Sequence, residues 1–257
     1  MMSIDATKKA LFNFAIKHAD DRLILGHRLA EWCSTAPILE EDIAMSNIAL
    51  DLLGQSVLFL KYAAELENSN RTEDDLAYLR TEKEFRNALL CEQNTDDFAY
   101  AIARQFFFDV YDYYLMEALA KSTDEQIRGI AEKSVKEAKY HLRHSSEWML
   151  RLGDGTEESH KRIAEAVEFL WMYTGELFET DGDDDLLKSE GIIPDLSGLK
   201  AKWYESVSQL LAKATLDVPS IYLFMQSGGR KGYHTENMGH ILSDMQYLRR
   251  LYPDAKW

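Results

Sequence analysis

The sequence predicts an all-α protein, and three observations carry the prediction. Only four prolines, Pro37, Pro194, Pro219 and Pro253, punctuate the 257 residues, which leaves long stretches where a helical hydrogen-bond ladder runs unbroken. Apolar residues recur close to a 3.6-residue period, and the Gly/Pro-rich turns every ~8–12 residues that mark a β-sandwich are missing. Finally, carboxylates repeat at helical-hairpin spacing. Asp20 lies about thirty residues before Asp51, and Asp109 a little under thirty before Glu137, the separation of one helix, a turn and half a helix.

The first helix is predicted from about Asp5 to Cys33, where Leu11, Phe14, Ala15, Leu25, Leu29 and Trp32 keep the period and Ser34-Thr35-Ala36-Pro37 ends the run. The second runs from about Leu39 to Leu66 and opens with Glu40, Glu41 and Asp42, which favour the positive end of a helix dipole. A polar loop, Glu67 to Glu73, precedes a shorter helical stretch near Asp74 to Leu90. Asn94-Thr95-Asp96 then supplies the N-cap of a third long helix, Asp97 to about Lys121. The fourth starts after Ser122-Thr123-Asp124 and stops at Gly153-Asp154-Gly155; the fifth spans Glu157 to about Glu179 and buries Ile163, Val167, Leu170 and Trp171. An acidic link, Asp181 to Asp185, leads to a short turn near Leu186 to Glu190, followed by helices over about Ser197 to Ala214 and Thr235 to Leu251. Four long helices, a C-terminal layer and no low-complexity linker correspond to one domain over residues 1–257, a ferritin-like four-helix bundle with additional C-terminal helices.

Composition bounds the function. A hydrophobic content of 46% is ample for a substantial core. A net charge of −15 works against nucleic acid and against anionic membrane surfaces, because both need clustered Lys and Arg. The partners expected are a protein or a small molecule. Cys33 and Cys91 are too few for a disulfide framework, and no charged and then apolar leader opens the chain, so a cytosolic (cytoplasmic) protein is expected. The most apolar segment, Ile48 to Leu60, contains Asp51, Gly54 and Gln55 and reads as too short and too polar to span a bilayer.

The chemistry-bearing positions look like a metal site that has lost its imidazoles. Asp51-Leu52-Leu53-Gly54 and Glu137-Ala138-Lys139-Tyr140 stand where a carboxylate di-iron bundle carries Glu-x-x-His twice. Residues i and i+3 project from one helix face, so a carboxylate and an imidazole reach one metal from there. Gly54 offers no ligand atom and Tyr140 only a phenol. Carboxylates at Asp20, Asp51, Asp109 and Glu137 then need neutralising by other means, and Arg22, Arg28, Arg104, His141, Arg143 and His144 are the candidates. Glu137, His141 and His144 share a face at i, i+4 and i+7. They either hold a metal in a non-standard way or satisfy buried carboxylates, and the first hairpin has no nitrogen ligand.

Two further features stand out. Ser227-Gly-Gly-Arg-Lys-Gly-Tyr-His-Thr235 is a glycine-rich basic loop entering a helix, suited either to cradling a phosphate or carboxylate or to a tight turn pinned to the protein. Its spacing is not that of a Walker A loop. Phe106, Phe107, Phe108, Tyr111, Tyr113 and Tyr114 crowd the third long helix, which is therefore either central in the core or turned towards a partner subunit.

Taken together, Arg28-Leu-Ala-Glu-Trp-Cys33, Asn47-Ile-Ala-Leu-Asp-Leu-Leu-Gly-Gln55, Tyr62-Ala-Ala-Glu-Leu66, Ala103-Arg-Gln105, Lys136-Glu-Ala-Lys-Tyr-His-Leu-Arg143, Gly229-Arg-Lys-Gly-Tyr-His-Thr-Glu236 and Met245-Gln-Tyr-Leu248 resemble the C-subunit family of bacterial 1,2-phenylacetyl-CoA epoxidases over nearly the full chain. The resemblance implies a role in aerobic phenylacetate catabolism, in an oxygenase complex that uses O2 and electrons from an NADPH-dependent reductase. It further implies a structural, non-catalytic subunit with a degenerate site and no cofactor of its own, paired with a homologous catalytic subunit that holds the di-iron centre. Phenylacetyl-CoA is expected to border this chain at the subunit boundary, with Glu84, Phe85, Arg86 and Asn87, Asp185, Leu186 and Leu187, and Arg230 and Lys231 as the contact candidates. Two other readings are an independent metal-binding ferritin-like oxygenase or storage protein, using Asp20, Asp51, Asp109, Glu137 and a histidine, and a CoA-ester binding module without a catalytic partner.

Overall fold

A computed structural model describes residues 2–93, 97–220, 223–253 and 255. Among them every regular element is helical, so the all-α class expected from the sequence is the one adopted. The helices are α1 (Met2–Ala30), α2 (Leu39–Glu67), α3 (Glu73–Tyr78), α4 (Leu89–Glu92), α5 (Phe98–Leu119), α6 (Glu125–Gly153), α7 (Glu157–Trp171), α8 (Gly182–Ser189), α9 (Leu196–Lys213) and α10 (Glu236–Leu251). Single 3-10 turns occur at Glu82–Glu84, Gly175–Phe178 and Gly229–Lys231. One domain over 1–257 is the expectation from sequence; the packing groups into two compact units, Met1–Asn94 with Gly228–Trp257, and Thr95–Ser227.

The first unit is built on the α1–α2 hairpin. Phe14, Ala15, Leu23 and Ile24 of α1 and Ile48, Leu52, Phe59 and Ala63 of α2 are buried. The two helices approach closely at Gly26, where a Cβ would stand 3.1 Å from Leu53 Cγ and 3.2 Å from the Ala49 carbonyl. The single helix expected near Asp74 to Leu90 is instead broken into α3, a 3-10 turn and α4. A capping box between Thr72 and Asp75 starts α3, and the side chain of Glu84 accepts the Thr81 N–H at 2.8 Å. From Phe85 to Ala88 the backbone is extended, and it donates the Arg86 and Ala88 N–H groups to the carboxylates of Asp20 and Asp21, at 2.8 and 2.7 Å. Tertiary hydrogen bonds thus outweigh helical propensity.

In the second unit α5 packs against α6, α7 and α9. The aromatic run on α5 is core. Phe107 meets Trp171 and Trp203 with ring centroids 5.7 and 5.9 Å apart, and its carbonyl accepts the Trp203 indole N–H at 2.9 Å. Tyr111 is buried edge-on against Phe178, while the hydroxyl of the half-buried Tyr114 bonds to Ser206 at 2.7 Å. Asn94-Thr95-Asp96, expected as the α5 N-cap, lies outside the described residues; Asp97 caps the helix by accepting the Ala99 N–H at 2.7 Å. The fifth predicted helix stops at Trp171 rather than near Glu179. Its end turns through 3-10 bonds, the Met172 carbonyl accepts Gln226 N at 2.7 Å, and Gly175 makes room for Met225. The acidic link is no link: Asp181 caps α8, and Asp183, Asp184 and Asp185 fill its first turn, where the helix dipole favours negative charge.

Length also corrects one expectation. Taken whole, α2 is long and apolar enough to cross a membrane, with a mean hydropathy of 1.6 over its most apolar window. A core helix meets the same criterion, and the buried face of α2 packs on α1.

Candidate functional site

In the first unit the buried polar groups form one network around α1. Successive residues of a helix point about 100° apart, so Asp20 and Asp21 serve different partners. Asp20 takes a two-pronged contact from Arg80, one arm of it at 2.9 Å, in addition to the Arg86 N–H. The Arg80 guanidinium also lies 4.1 Å over the Phe85 ring. Asp21 is gripped by Arg230, whose two terminal nitrogens donate at 2.8 and 2.9 Å. Glu92 accepts from His234 Nδ1 at 2.7 Å, from the Thr235 N–H at 2.6 Å and from Asn87 at 2.9 Å. These contacts pin the glycine-rich loop. Arg230 is also held by the Arg86 carbonyl at 2.9 Å, and Gly232, at φ +80, admits the Lys83 carbonyl where a Cβ would clash. Beside this network, burial first and then the cations Arg22, Arg230 and Lys17 hold the His18 imidazole well below its ordinary pKa.

The acyl-CoA contact candidates around this network are mostly engaged inside the protein. Phe85 and Asn87 are buried, so Phe85 presents no ring face to a base. Glu84 caps the turn at Thr81, Arg86 donates to the carbonyls of Lys83 and Phe85 at 2.7 Å, and Lys231 is exposed. In the second unit Asp185 is exposed, Leu186 half-buried and Leu187 buried. Asp185 lines a cavity of about 210 Å³ with Lys188 and Lys200.

The presumed metal positions fall one residue off the buried faces. On α2, Asp51 is half-buried and Gly54 is exposed, with nothing within 4 Å of a Cβ placed there. The buried pair is Leu52 and Gln55, and Gln55 accepts the Arg22 Nε–H at 3.0 Å. On α6, Glu137 is half-buried and Tyr140 is 40% exposed, whereas Ala138 and His141 are buried. The side chains facing inward at i and i+3 are therefore Leu52/Gln55 and Ala138/His141. Neither pair joins a carboxylate to an imidazole.

Asp109 is fully enclosed. Gln105 Nε2 donates to one carboxylate oxygen at 2.6 Å and Ser145 Oγ to the other at 2.7 Å. Burial pushes this carboxyl up to about 7; His141, Ser145 and Gln105 favour the charged form, and Asp112 opposes it. Among the described residues no group of three or more His, Cys, Asp or Glu side chains is placed to hold a metal ion. Asp20 is engaged by Arg80, and the inward positions carry Leu52 and Gln55 on α2 and Ala138 and His141 on α6.

Sequence reasoning missed Asp21, Arg80, Glu92 and His234. The adjacent Asp20-Asp21 pair, set between the apolar positions Ala19 and Leu23 of a helix, was the available signal, since two buried acids demand two cations.

Over residues 1–257 the sequence matches the family described as phenylacetic acid catabolic protein. It is 45% identical over 244 residues, 95% of this chain and 98% of the relative, to the C component of the 1,2-phenylacetyl-CoA epoxidase of Escherichia coli (strain K12). That correspondence covers both compact units, and the chain belongs to the phenylacetic acid catabolic protein family.

Proposed function

We propose that this chain is a non-catalytic, structural subunit of a multicomponent 1,2-phenylacetyl-CoA epoxidase in aerobic phenylacetate catabolism, a cytosolic, ferritin-like scaffold paired with a homologous di-iron catalytic subunit. The carrying observation is the content of the buried faces: neither Leu52/Gln55 on α2 nor Ala138/His141 on α6 pairs a carboxylate with an imidazole, the combination a di-iron oxygenase uses. In the catalytic partner the di-iron centre supplies O2 activation; this chain supplies packing surface and substrate boundary. Pairing draws support from α2, whose outward side leaves Leu39, Ile43, Leu50 and Val57 exposed, at 72, 54, 66 and 38%. An obligate pair calls for an interface above about 2,000 Å². Lys231 and Asp185 are the contact candidates whose side chains remain open to an acyl-CoA.

Co-expression with the homologous di-iron subunit tests this reading, followed by metal analysis of each separated chain and epoxidation assays with and without this one. Iron should reside in the partner and the rate should fall when this chain is left out. Stoichiometric di-iron in this chain, or full activity without it, overturns the proposal and favours the independent-oxygenase alternative.

A further inference from the structure

Nothing among the described residues requires a glycine at position 54. Gly54 is exposed in the middle of α2, and a Cβ placed there would meet nothing within 4 Å, although glycine weakens a helix interior relative to alanine. It belongs to an outward stripe whose steps alternate between three and four residues: Glu40, Ile43, Asn47, Leu50, Gly54, Val57 and Lys61 are exposed and Ala64 is half-buried. A 3.5-residue repeat is the spacing of a helix that packs along a second helix. Ile43, Leu50, Val57 and Ala64, one heptad apart, form an apolar column, and Glu40, Asn47, Gly54 and Lys61 form the column beside it. Leu50 is 66% exposed, so the stripe carries a knob one turn away from a hole.

A knob and a hole on one helix select a second copy as the occupant. In a parallel two-fold pair each residue meets itself, which sets Leu50 on Leu50 and leaves Gly54 facing Gly54 across a void. In an antiparallel pair whose two-fold axis passes level with Leu52, Leu50 of each copy enters the gap over Gly54 of the other, Val57 meets Asn47, and Ile43 meets the stem of Lys61. Both holes are then filled. Charge favours the same direction, because α2 opens with Glu40, Glu41 and Asp42 and its one cation is Lys61. The antiparallel pair sets Lys61 between its own Glu65 and Glu40 of the second copy, whereas a parallel pair stacks the acidic first turns on each other. From Glu40 to Ala64 the stripe is about 36 Å long; about half a helix circumference wide, it buries roughly 600 Å² per copy. The total, roughly 1,200 Å², reaches the lower end of stable, specific interfaces. We propose that the chain without its catalytic partner is a two-fold homodimer in which the outward stripes of α2 pack antiparallel, Leu50 of each copy seated over Gly54 of the other. The pairing put forward above draws on the same side of α2, so the two occupants exclude one another and the homodimer is the state of the free chain.

Sedimentation velocity of the full chain alone, over a range of micromolar concentrations, tests this. The parent should sediment at twice the 29.6 kDa of one chain. Leu50→Glu and Gly54→Leu should each weaken association about tenfold or more, the first by charging the knob and the second by filling the hole. The exchange variant Leu50→Gly/Gly54→Leu puts knob and hole in each other's places and should restore the dimer. Both positions are exposed, and circular dichroism melting checks that each variant is folded. A monomeric parent overturns the proposal. A Gly54→Leu variant that dimerises as well as the parent or better also overturns it, because adhesion of an apolar face without a seat for Leu50 gives that result. An exchange variant as monomeric as Gly54→Leu overturns it too. A dimeric parent that fails to bind the catalytic subunit overturns the pairing and leaves the homodimer standing.

Discussion

Replacing Asp109 by asparagine should stabilise the second unit at neutral pH and leave it little changed in acid. The carboxyl is enclosed between α5 and α6 and titrates at about 7, chiefly because burial penalises its charge. An unfolded aspartate titrates near ~3.9. Between those values the folded state keeps a proton that the unfolded state has released, so stability falls as pH rises from about 4 through about 7 and is level above. At about 1.4 kcal/mol per pH step, the whole fall is about 4 kcal/mol. Asparagine removes the charge and keeps the geometry. Its carbonyl oxygen accepts from Gln105, its amide donates to Ser145 Oγ, and the serine hydroxyl turns to the His141 carbonyl, 3.1 Å away. Urea unfolding read through the buried Trp171 and Trp203 reports on this unit. At pH 8 the variant should exceed the parent by about 2–4 kcal/mol, narrowing to under about 1 kcal/mol at pH 4. A constant offset between variant and parent over that range would show that Asp109 ionises at its ordinary pKa, and the reasoning would fall.

Arg230→Ala leaves Asp21 buried without its fork and should cost about 3–5 kcal/mol, seen as a lower melting temperature and faster proteolysis after Ser227; Arg230→Lys should fall in between. Burial acts against the charged His234 ring, but Glu92 and the Phe85 carbonyl outweigh it and raise its pKa, so this contribution is complete below the ordinary histidine pKa and fades as pH climbs through the raised value. His234→Gln should abolish that fade in denaturation curves between pH 6 and 8. The double variant Gly54→His/Tyr140→His should bind no more iron than the parent by elemental analysis, because both positions face outward; a gain of stoichiometric iron would return the metal site to those two positions. Tyr111→Glu should unfold the second unit rather than merely weaken subunit pairing, since the ring is buried against Phe178; a folded variant with near-parental melting would refute that.

The sequence by itself determined the helical class and the long helices, because periodicity and caps are local. The predicted spans at Leu39–Leu66, Ser197–Ala214 and Thr235–Leu251 agree with α2, α9 and α10 to within a residue or so. Family membership was legible too, since its motifs are contiguous. Tertiary structure alone decided which residues face inward. A helix face is known from sequence only to about one position, and one position is a rotation of about 100°, enough to move the inward pairs from Asp51/Gly54 and Glu137/Tyr140 to Leu52/Gln55 and Ala138/His141. It also decided the partners of the buried acids. Asp20 meets Arg80, Asp21 meets Arg230 and Glu92 meets His234 across 60, 209 and 142 residues. No local pattern encodes such pairings, because long-range contacts are chosen by the folded chain as a whole. The same cause breaks the helix expected at Asp74–Leu90: its backbone N–H groups find better acceptors in Asp20 and Asp21 than in their own preceding turn.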